Sequence, residues 1–280
     1  PMVPLHTWLP DTAEQATPGT SVLLIGVLDK IGTYGMIVMC VPLLTSDMHW
    51  VSLTMMSLAI VAIIYGGLAA IVQDHLYRLI SYTSVSHFGF MVLGIFGGSI
   101  AGASGAMVYM VAHGLSIAGL YLISGFLVRR TGTARLSEMG GIARVSPVIA
   151  GTFLFSALAS IALPGLSGFV PEWLVLTGTF SVSTAAGLFA LLGVVIAALY
   201  ALWPYQKVFT GAPKEKYVGI GDLNKSEKLL VTPLLIAMLA LGLFTAPLTN
   251  LLAKQAELIS AYTGQPEQVS VVLSQGGEAK

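Results

Sequence analysis

Seven apolar stretches, each long enough to cross a lipid bilayer, follow one another along this 280-residue chain. They fall at roughly 19–44, 49–73, 79–99, 103–128, 147–179, 182–206 and 228–250. A hydrocarbon slab of ~30 Å takes ~20 residues of α-helix at a rise of ~1.5 Å per residue. Inside it, only helices and closed barrels satisfy every backbone N–H and C=O, and unbroken apolar runs of this length read as helices. Composition agrees: 55% of residues are hydrophobic and 9% are charged, where a soluble domain carries ~25% charged residues. The predicted fold is all-α, a polytopic membrane helix bundle of about seven transmembrane spans. Glycine is abundant, at 31 residues, as suits helices that pack closely in lipid. The net charge of zero carries no information about partners. A single cysteine, Cys40, excludes a disulfide framework and a paired-cysteine metal or redox centre; it reads as a small apolar residue within a helix.

Connectors with polar or Gly/Pro-rich composition separate the runs, and their charges orient the bundle. With seven spans, Arg78, Arg129, Arg130, Arg135, Arg144, Lys207, Lys214, Lys216, Lys225 and Lys228 fall on one side, and only Lys254 and Lys280 on the other. A wrong span count in the middle would scramble that segregation, and the basic side is expected to be cytoplasmic. The transmembrane domain is placed at 1–250, an amphipathic interfacial helix at 251–262, and a polar tail at 263–280. The chain opens on PMVPLHTWLP; the first ten residues are read as the tail of an earlier span, with the first half of a longer protein expected upstream.

Against this background the ionisable residues at membrane depth are conspicuous. Lys30 lies near the middle of the first run, where a charged side chain costs about 2.5 kcal/mol or more and usually serves ion or proton movement. His87, His113 and Glu172 share its situation, which points to a proton or cation pathway. A histidine titrating near neutrality suits proton transfer. Tyr109, His113 and Ser116 occupy positions i, i+4 and i+7 on one helical face, which makes Tyr109 and Ser116 candidate modulators. Asp29, a further candidate modulator, adjoins Lys30, but neighbours on an ideal α-helix project ~100° apart, so it either approaches Lys30 through a water or a bend of its side chain or faces another helix. His6, His49 and His75 fall at predicted interfaces and read as packing residues. No HExxH or Cys/His spacing supports a metal site.

The run at 147–179 is too long for one straight crossing. Pro164, Gly165, Gly168 and Pro171 crowd its centre; proline removes a backbone donor and glycine lets the chain leave helical dihedrals. A discontinuous helix is expected there, and unwound backbone at such depth survives only inside protein or beside a cavity. Transporters build ion sites at such breaks. Glu172 would stand just after the break, at a helix N-terminus whose dipole favours the carboxylate.

PLHTWLPDTAEQATPGTSVLLIGVLDKIGTYG, RLISYTSVSHFGF, GAMVYMVAHGLSIAGLYLISG and LPGLSGFVPEW, in this order over residues 1 to about 210, together resemble the antiporter-like membrane subunits of respiratory complex I. The M type of bacterial NADH:quinone oxidoreductase is the nearest form. The resemblance implies the second half of a fourteen-span fold built from two inverted five-helix repeats. It makes Lys30 the central lysine, His87 and His113 the bridging histidines, and Glu172 the terminal residue after the broken helix. The glutamate at that position favours the M type over the L and N types, which carry lysine. The family's carboxylate and lysine of the other half would lie upstream of Pro1. Two departures stand out. His75, Leu76, Tyr77 and Arg78 occupy a helix start where the family often has Asp-Leu-Lys-Arg, and Asp29 stands where an apolar residue is common.

The function implied is proton translocation coupled to redox chemistry held elsewhere. NADH, flavin, iron–sulfur clusters and quinone are expected in partner subunits and none in this chain. The expected partners are the lipid bilayer and the other membrane subunits of complex I, above all the adjacent antiporter-like ones, with no nucleic acid. The expected location is a bacterial cytoplasmic membrane. A multisubunit Na⁺/H⁺ antiporter or a membrane-bound hydrogenase would use the same fold, and a purely structural bundle is the bland alternative, against which the intact Lys, His and Glu set argues.

The charge segregation makes a prediction. In a Cys40→Ser background, single cysteines at Ser137 and Ser274 should react with a membrane-impermeant thiol reagent from opposite sides of sealed vesicles. Reaction of both from the same side would rule out seven spans.

Overall fold

The computed structural model describes residues 1–44 and 48–264, and these form an all-helical bundle. A short helix, α1 (Trp8–Gln15), precedes the first span, α2 (Pro18–Leu43). There follow α3 (Met48–Ile71), α4 (Leu76–Phe96), α5 (Ile100–Thr131), the half-helices α6 (Pro147–Ser160) and α7 (Phe169–Val182), α8 (Thr184–Phe209), α9 (Lys225–Leu243) and α10 (Ala246–Thr263). Among the described residues, six helices are long and apolar enough to cross a membrane, and the shorter apolar pair α6 and α7 lies where the broken fifth span was expected. Span ends differ from the expected ones by a few residues, because apolar composition shades into the connectors while caps stop the helices. Thr17 caps α2 with Pro18 at its first position, Ser99 caps α5, and Asn224 with Glu227 forms a reciprocal capping box on α9.

Two expectations at the ends of the chain need correction. Residues 3–7 form a turn, and α1 runs through much of the connector expected at 11–19. The last span, expected to reach 250, stops at Leu243, and α10 starts at Ala246 in place of 251. The reason is local: Phe244 leaves helical dihedrals at φ −125°, ψ 57°, and Pro247, in the first turn of α10, lacks the N–H that a continuous helix would need. The tail beyond 264, including the Ser274 position, lies outside the described residues.

The centre of the bundle is α4, every residue of which except Arg78 is buried. It packs along α3 and α5, with α1 near its start; α5 in turn carries α7, α6, α10 and α9 on its flanks, and α8 leans on α3 and α7. The aliphatic exterior left on α2, α3, α8 and α9, such as Leu23, Leu53, Leu199 and Leu229, is what a bundle in lipid presents to acyl chains or to neighbouring subunits.

The connectors carrying most of the basic residues meet at one end. Leu76 N–H bonds Ala134 O at 2.9 Å, Leu136 N–H bonds Asp74 O at 2.8 Å and Gly141 N–H bonds Thr210 O at 2.9 Å. Asp74 ties this end together, accepting from Ser137 Oγ at 2.6 Å and from Lys207 Nζ at 3.3 Å. Burial alone would push the Asp74 carboxyl up, but the Ser137 and Lys207 contacts together outweigh it and hold the group below its usual value. Arg130 makes a forked pair with Glu227, at 3.0 and 2.5 Å, and Arg78 reaches Asp11 at 2.6 Å and Glu14 at 2.9 Å. The helix start that departs from the family's charged pattern therefore finds its partners on α1.

The helix break spans 161–168. Ala162 (φ 59°) and Gly165 (φ 89°) adopt left-handed backbone there, a conformation that costs a non-glycine residue about 1 kcal/mol or more. Gly168 is needed for a different reason: a Cβ on it would lie 2.3 Å from the carbonyl oxygen of Ala159, so the end of α6 and the start of α7 can approach only without a side chain. Gly168→Ala is expected to destabilise the protein by about 1–3 kcal/mol through overpacking against rigid backbone. A lowered midpoint in thermal inactivation of the solubilised protein would show it; an unchanged midpoint would contradict the close contact.

Candidate functional site

Lys30 follows an irregular turn. From Leu24 to Leu28 the helix widens to π geometry, and Asp29 N–H bonds Leu24 O, five residues back, at 2.9 Å. Such bulges change the angular spacing of side chains and recur at functional sites. Just after this one, two neighbours form a direct ion pair: Asp29 Oδ1 stands 2.9 Å from Lys30 Nζ, with the Asp29 side chain fully buried. Asp29 and Lys30 both have helical backbone there, so the pair is reached directly through the side chains and does not place Asp29 against another helix. The contact is an ion pair and not an angularly good hydrogen bond, and Asp29 Oδ2 has no hydrogen-bond partner among the described residues.

The lysine's other contacts come from its own helix and from α4 and α5. Nζ donates to Ile25 O and lies 2.7 Å from His113 Nδ1. The Phe88 ring faces Nζ at 5.3 Å. Three acceptors thus surround an ammonium that has three protons to give. His113 comes within reach because α2 and α5 touch backbone to backbone one residue further on: a Cβ on Gly114 would lie 2.7 Å from Gly26 O. With Nδ1 accepting, His113 carries its proton on Nε2, which is buried and has no hydrogen-bond partner among the described residues.

Beyond His113 comes His87 on α4, with ring centroids 5.3 Å apart and no hydrogen bond between the two rings among the described contacts. His87 spends both nitrogens elsewhere. Nδ1 is 2.8 Å from Tyr109 Oη, and Nε2 is 3.0 Å from Ser160 Oγ and 3.1 Å from Tyr200 Oη. Tyr109 donates to Glu172 Oε2 at 2.7 Å. Glu172 lies in the first turn of α7, its N–H bonded to Gly168 O at 3.2 Å, so the break delivers the carboxyl to the bundle interior as the run of prolines and glycines suggested. His87, Tyr109, His113 and Glu172 are all at least 97% buried. The row of contacts runs Asp29, Lys30, His113, His87, Tyr109, Glu172, with one step, between the histidines, made by ring proximity alone.

Other sequence candidates are placed differently. Ser116 is buried but gives its hydroxyl to His113 O at 3.2 Å, so it bonds its own helix and does not enter the row. Among the described residues His6 is buried with both ring nitrogens unpartnered, packed against Tyr65 at 5.0 Å and Tyr82 at 6.4 Å. His75 is half-buried at the start of α4 beside Tyr77, and His49 is exposed. Cys40 is exposed on α2. Ser160 and Tyr200 are contributors that sequence reasoning missed. Ser160 closes α6 immediately before the break, and Tyr200 is a polar tip in an otherwise apolar stretch of α8, but which histidine they meet depends on helix rotation. Among the described residues, no group of three or more His, Cys, Asp or Glu gathers to hold a metal ion.

The sequence pattern of a family described as NADH:quinone oxidoreductase/Mrp antiporter, transmembrane, matches residues 1–198. The chain belongs to this family. It is 43% identical over 265 residues to NADH-quinone oxidoreductase subunit M of Mycobacterium tuberculosis, covering 95% of the chain and 48% of that relative. The chain therefore spans about half the length of the curated relatives it matches. A chain of respiratory complex I from Thermus thermophilus superposes with TM-score 0.88 at 31% identity, over 95% of this chain and 56% of that one. A chain of the Mrp complex from Dietzia sp. DQ12-45-1b superposes with TM-score 0.80 at 21% identity, over 94% and 58%, a likeness of fold. The chain is thus a multi-pass membrane protein of the antiporter-like fold.

Proposed function

We propose that this chain is a proton-translocating membrane part of an NADH:quinone oxidoreductase, of the M type, and that Lys30, His113, His87 and Glu172 carry the proton, with Asp29 and Tyr109 acting on their neighbours. The observation that carries the reading is the buried row itself: groups able to gain and lose protons follow one another through the bundle core, from an ammonium paired with a carboxylate to a second carboxyl at a helix break. In lipid such groups are retained at a cost, and the cost is explained by charge movement. Lys30 holds a proton between Asp29 and His113. Handing it to Nδ1 of His113 leaves a neutral amine beside Asp29, and the imidazolium so formed stands next to His87. Glu172, at the helix break, receives the proton at the far end and releases it toward water.

The similarity to relatives named NADH-quinone oxidoreductase subunit M supports the redox-coupled reading over a Na⁺/H⁺ antiporter. On this reading NADH, flavin, iron–sulfur clusters and quinone belong to partner subunits, and the neighbours are other membrane subunits, especially antiporter-like ones. The membrane is the bacterial cytoplasmic membrane, and the basic end formed by the connectors around Asp74 and Arg130 faces the cytoplasm.

Proton translocation driven by NADH oxidation in membrane vesicles, with assembly followed on native gels, tests the reading. Lys30→Ala and Glu172→Gln should assemble and lose translocation by about tenfold or more, the scale of a lost acid–base group. Lys30→Arg should fail as well, because a guanidinium keeps its charge but does not release its proton. Glu172→Asp should keep part of the activity. Translocation by Glu172→Gln at the wild-type ratio to NADH would place the exit elsewhere, and translocation that requires Na⁺ would favour the antiporter.

A further inference from the structure

We propose that the Tyr109 hydroxyl is itself a proton-carrying member of the pathway, the link through which His87 and Glu172 exchange a proton. The inference deepens the proposed function and rests on it. Among the described residues, Tyr109 Oη is the hydrogen-bonded connection between the two groups, 2.8 Å from His87 Nδ1 and 2.7 Å from Glu172 Oε2. Both distances are within ordinary hydrogen-bond range, and Tyr109 is buried.

The donor directions follow from the groups. An ionised Glu172 only accepts, so Tyr109 gives it the phenolic proton and offers its oxygen lone pairs to His87. His87 then holds a proton on Nδ1, and its Nε2, with one lone pair, accepts from the hydroxyl of either Tyr200 or Ser160, both within reach. This fixes the direction of traffic through the ring: a proton added at Nε2 makes imidazolium, and the proton that leaves departs from Nδ1. The relay step balances in one movement. The Nδ1–H bond breaks as an O–H bond forms on Tyr109, while the original Tyr109 O–H bond breaks as an O–H bond forms on Glu172 Oε2. His87 ends neutral, Tyr109 ends neutral and Glu172 ends protonated. The reversed chain, Glu172 donating to Tyr109 and Tyr109 to His87, uses the same heavy atoms at the same separations. When Glu172 loses its proton outward, the phenolic hydrogen rotates back toward Glu172; His87, left with its proton on Nε2, regains the first arrangement only when the imidazole turns over and brings that proton to the Tyr109 side.

The ring is held for this role. It lies parallel to Phe90, with centroids 6.2 Å apart and planes within 4°, so the oxygen keeps its station while only the hydrogen moves. Ser160, Tyr200 and Tyr109 together pin both nitrogens of His87, which holds the imidazole plane toward the phenol.

Two forms of the whole complex test the relay in vesicles, with Glu172→Gln as the reference for the parent reading. Tyr109→Phe keeps the ring and its contact with Phe90 and deletes only the oxygen. NADH-driven translocation should fall by about tenfold, as for a lost acid–base group, and its solvent deuterium isotope effect should rise as the crossing becomes limiting. Wild-type translocation with an unchanged isotope effect would overturn the relay. If the phenylalanine form assembles poorly, fluorinated tyrosine introduced at position 109 keeps the hydroxyl and its contacts while changing its acidity. A relay predicts a rate altered by about twofold or more, whereas an unaltered rate would overturn it. Loss in Glu172→Gln with none in the Tyr109 forms refutes the relay alone; normal translocation by Glu172→Gln refutes the reading beneath it.

Discussion

An unpaired ammonium at the middle of a hydrocarbon slab is expensive, and the surroundings of Lys30 are arranged around that cost. Its ammonium is hydrogen-bonded to Ile25 O and His113 Nδ1 and ion-paired with Asp29. Of these, Asp29 supplies charge, and a buried pair with good partners is far less unfavourable than either ion alone. The π turn at Leu24–Leu28 immediately precedes the pair. The absence of side chains at Gly26 and Gly114 lets α5 bring His113 against α2. The polar row therefore depends as much on two glycines as on the titratable residues themselves.

The far end of the row is built by a different device with the same physical logic. Pro164, Gly165 and Gly168 stop α6 and restart α7 inside the bundle, so that Glu172 sits near a helix start and beside Tyr109. Irregular backbone at that depth must be enclosed by protein, and α9 does this: a Cβ on Gly242 would lie 2.4 Å from Gly165 O. Thus α9, which contributes nothing to the row, packs directly onto the break that positions its last carboxyl. The two ends meet across His113 and His87, where rings are in proximity without a hydrogen bond. That step divides the row into a lysine half, in which charge is balanced by Asp29, and a glutamate half, in which His87, Tyr109 and Glu172 are joined by two hydrogen bonds.

What the sequence by itself determined were the features set by hydrophobic length and by the strongest backbone punctuation. Spanning helices, the interrupted helix and the grouping of basic connectors could be read because each follows from local composition: apolar runs of bilayer length, clustered Pro and Gly, Lys and Arg between spans. Lys30, His87, His113 and Glu172 stood out for the same reason, since an ionisable residue in an apolar run is visible without knowing its neighbours. Tertiary structure decided which of these groups touch. Periodicity placed Tyr109 and Ser116 on the face of His113, but packing sends the Ser116 hydroxyl to its own helix and the Tyr109 hydroxyl between His87 and Glu172. Ser160 and Tyr200 join His87 only because three helices converge, and the 2.9 Å approach of Asp29 to Lys30 is set by where their side chains are packed. Those outcomes depend on helix rotation and on backbone contacts between residues distant in sequence, which local composition does not encode.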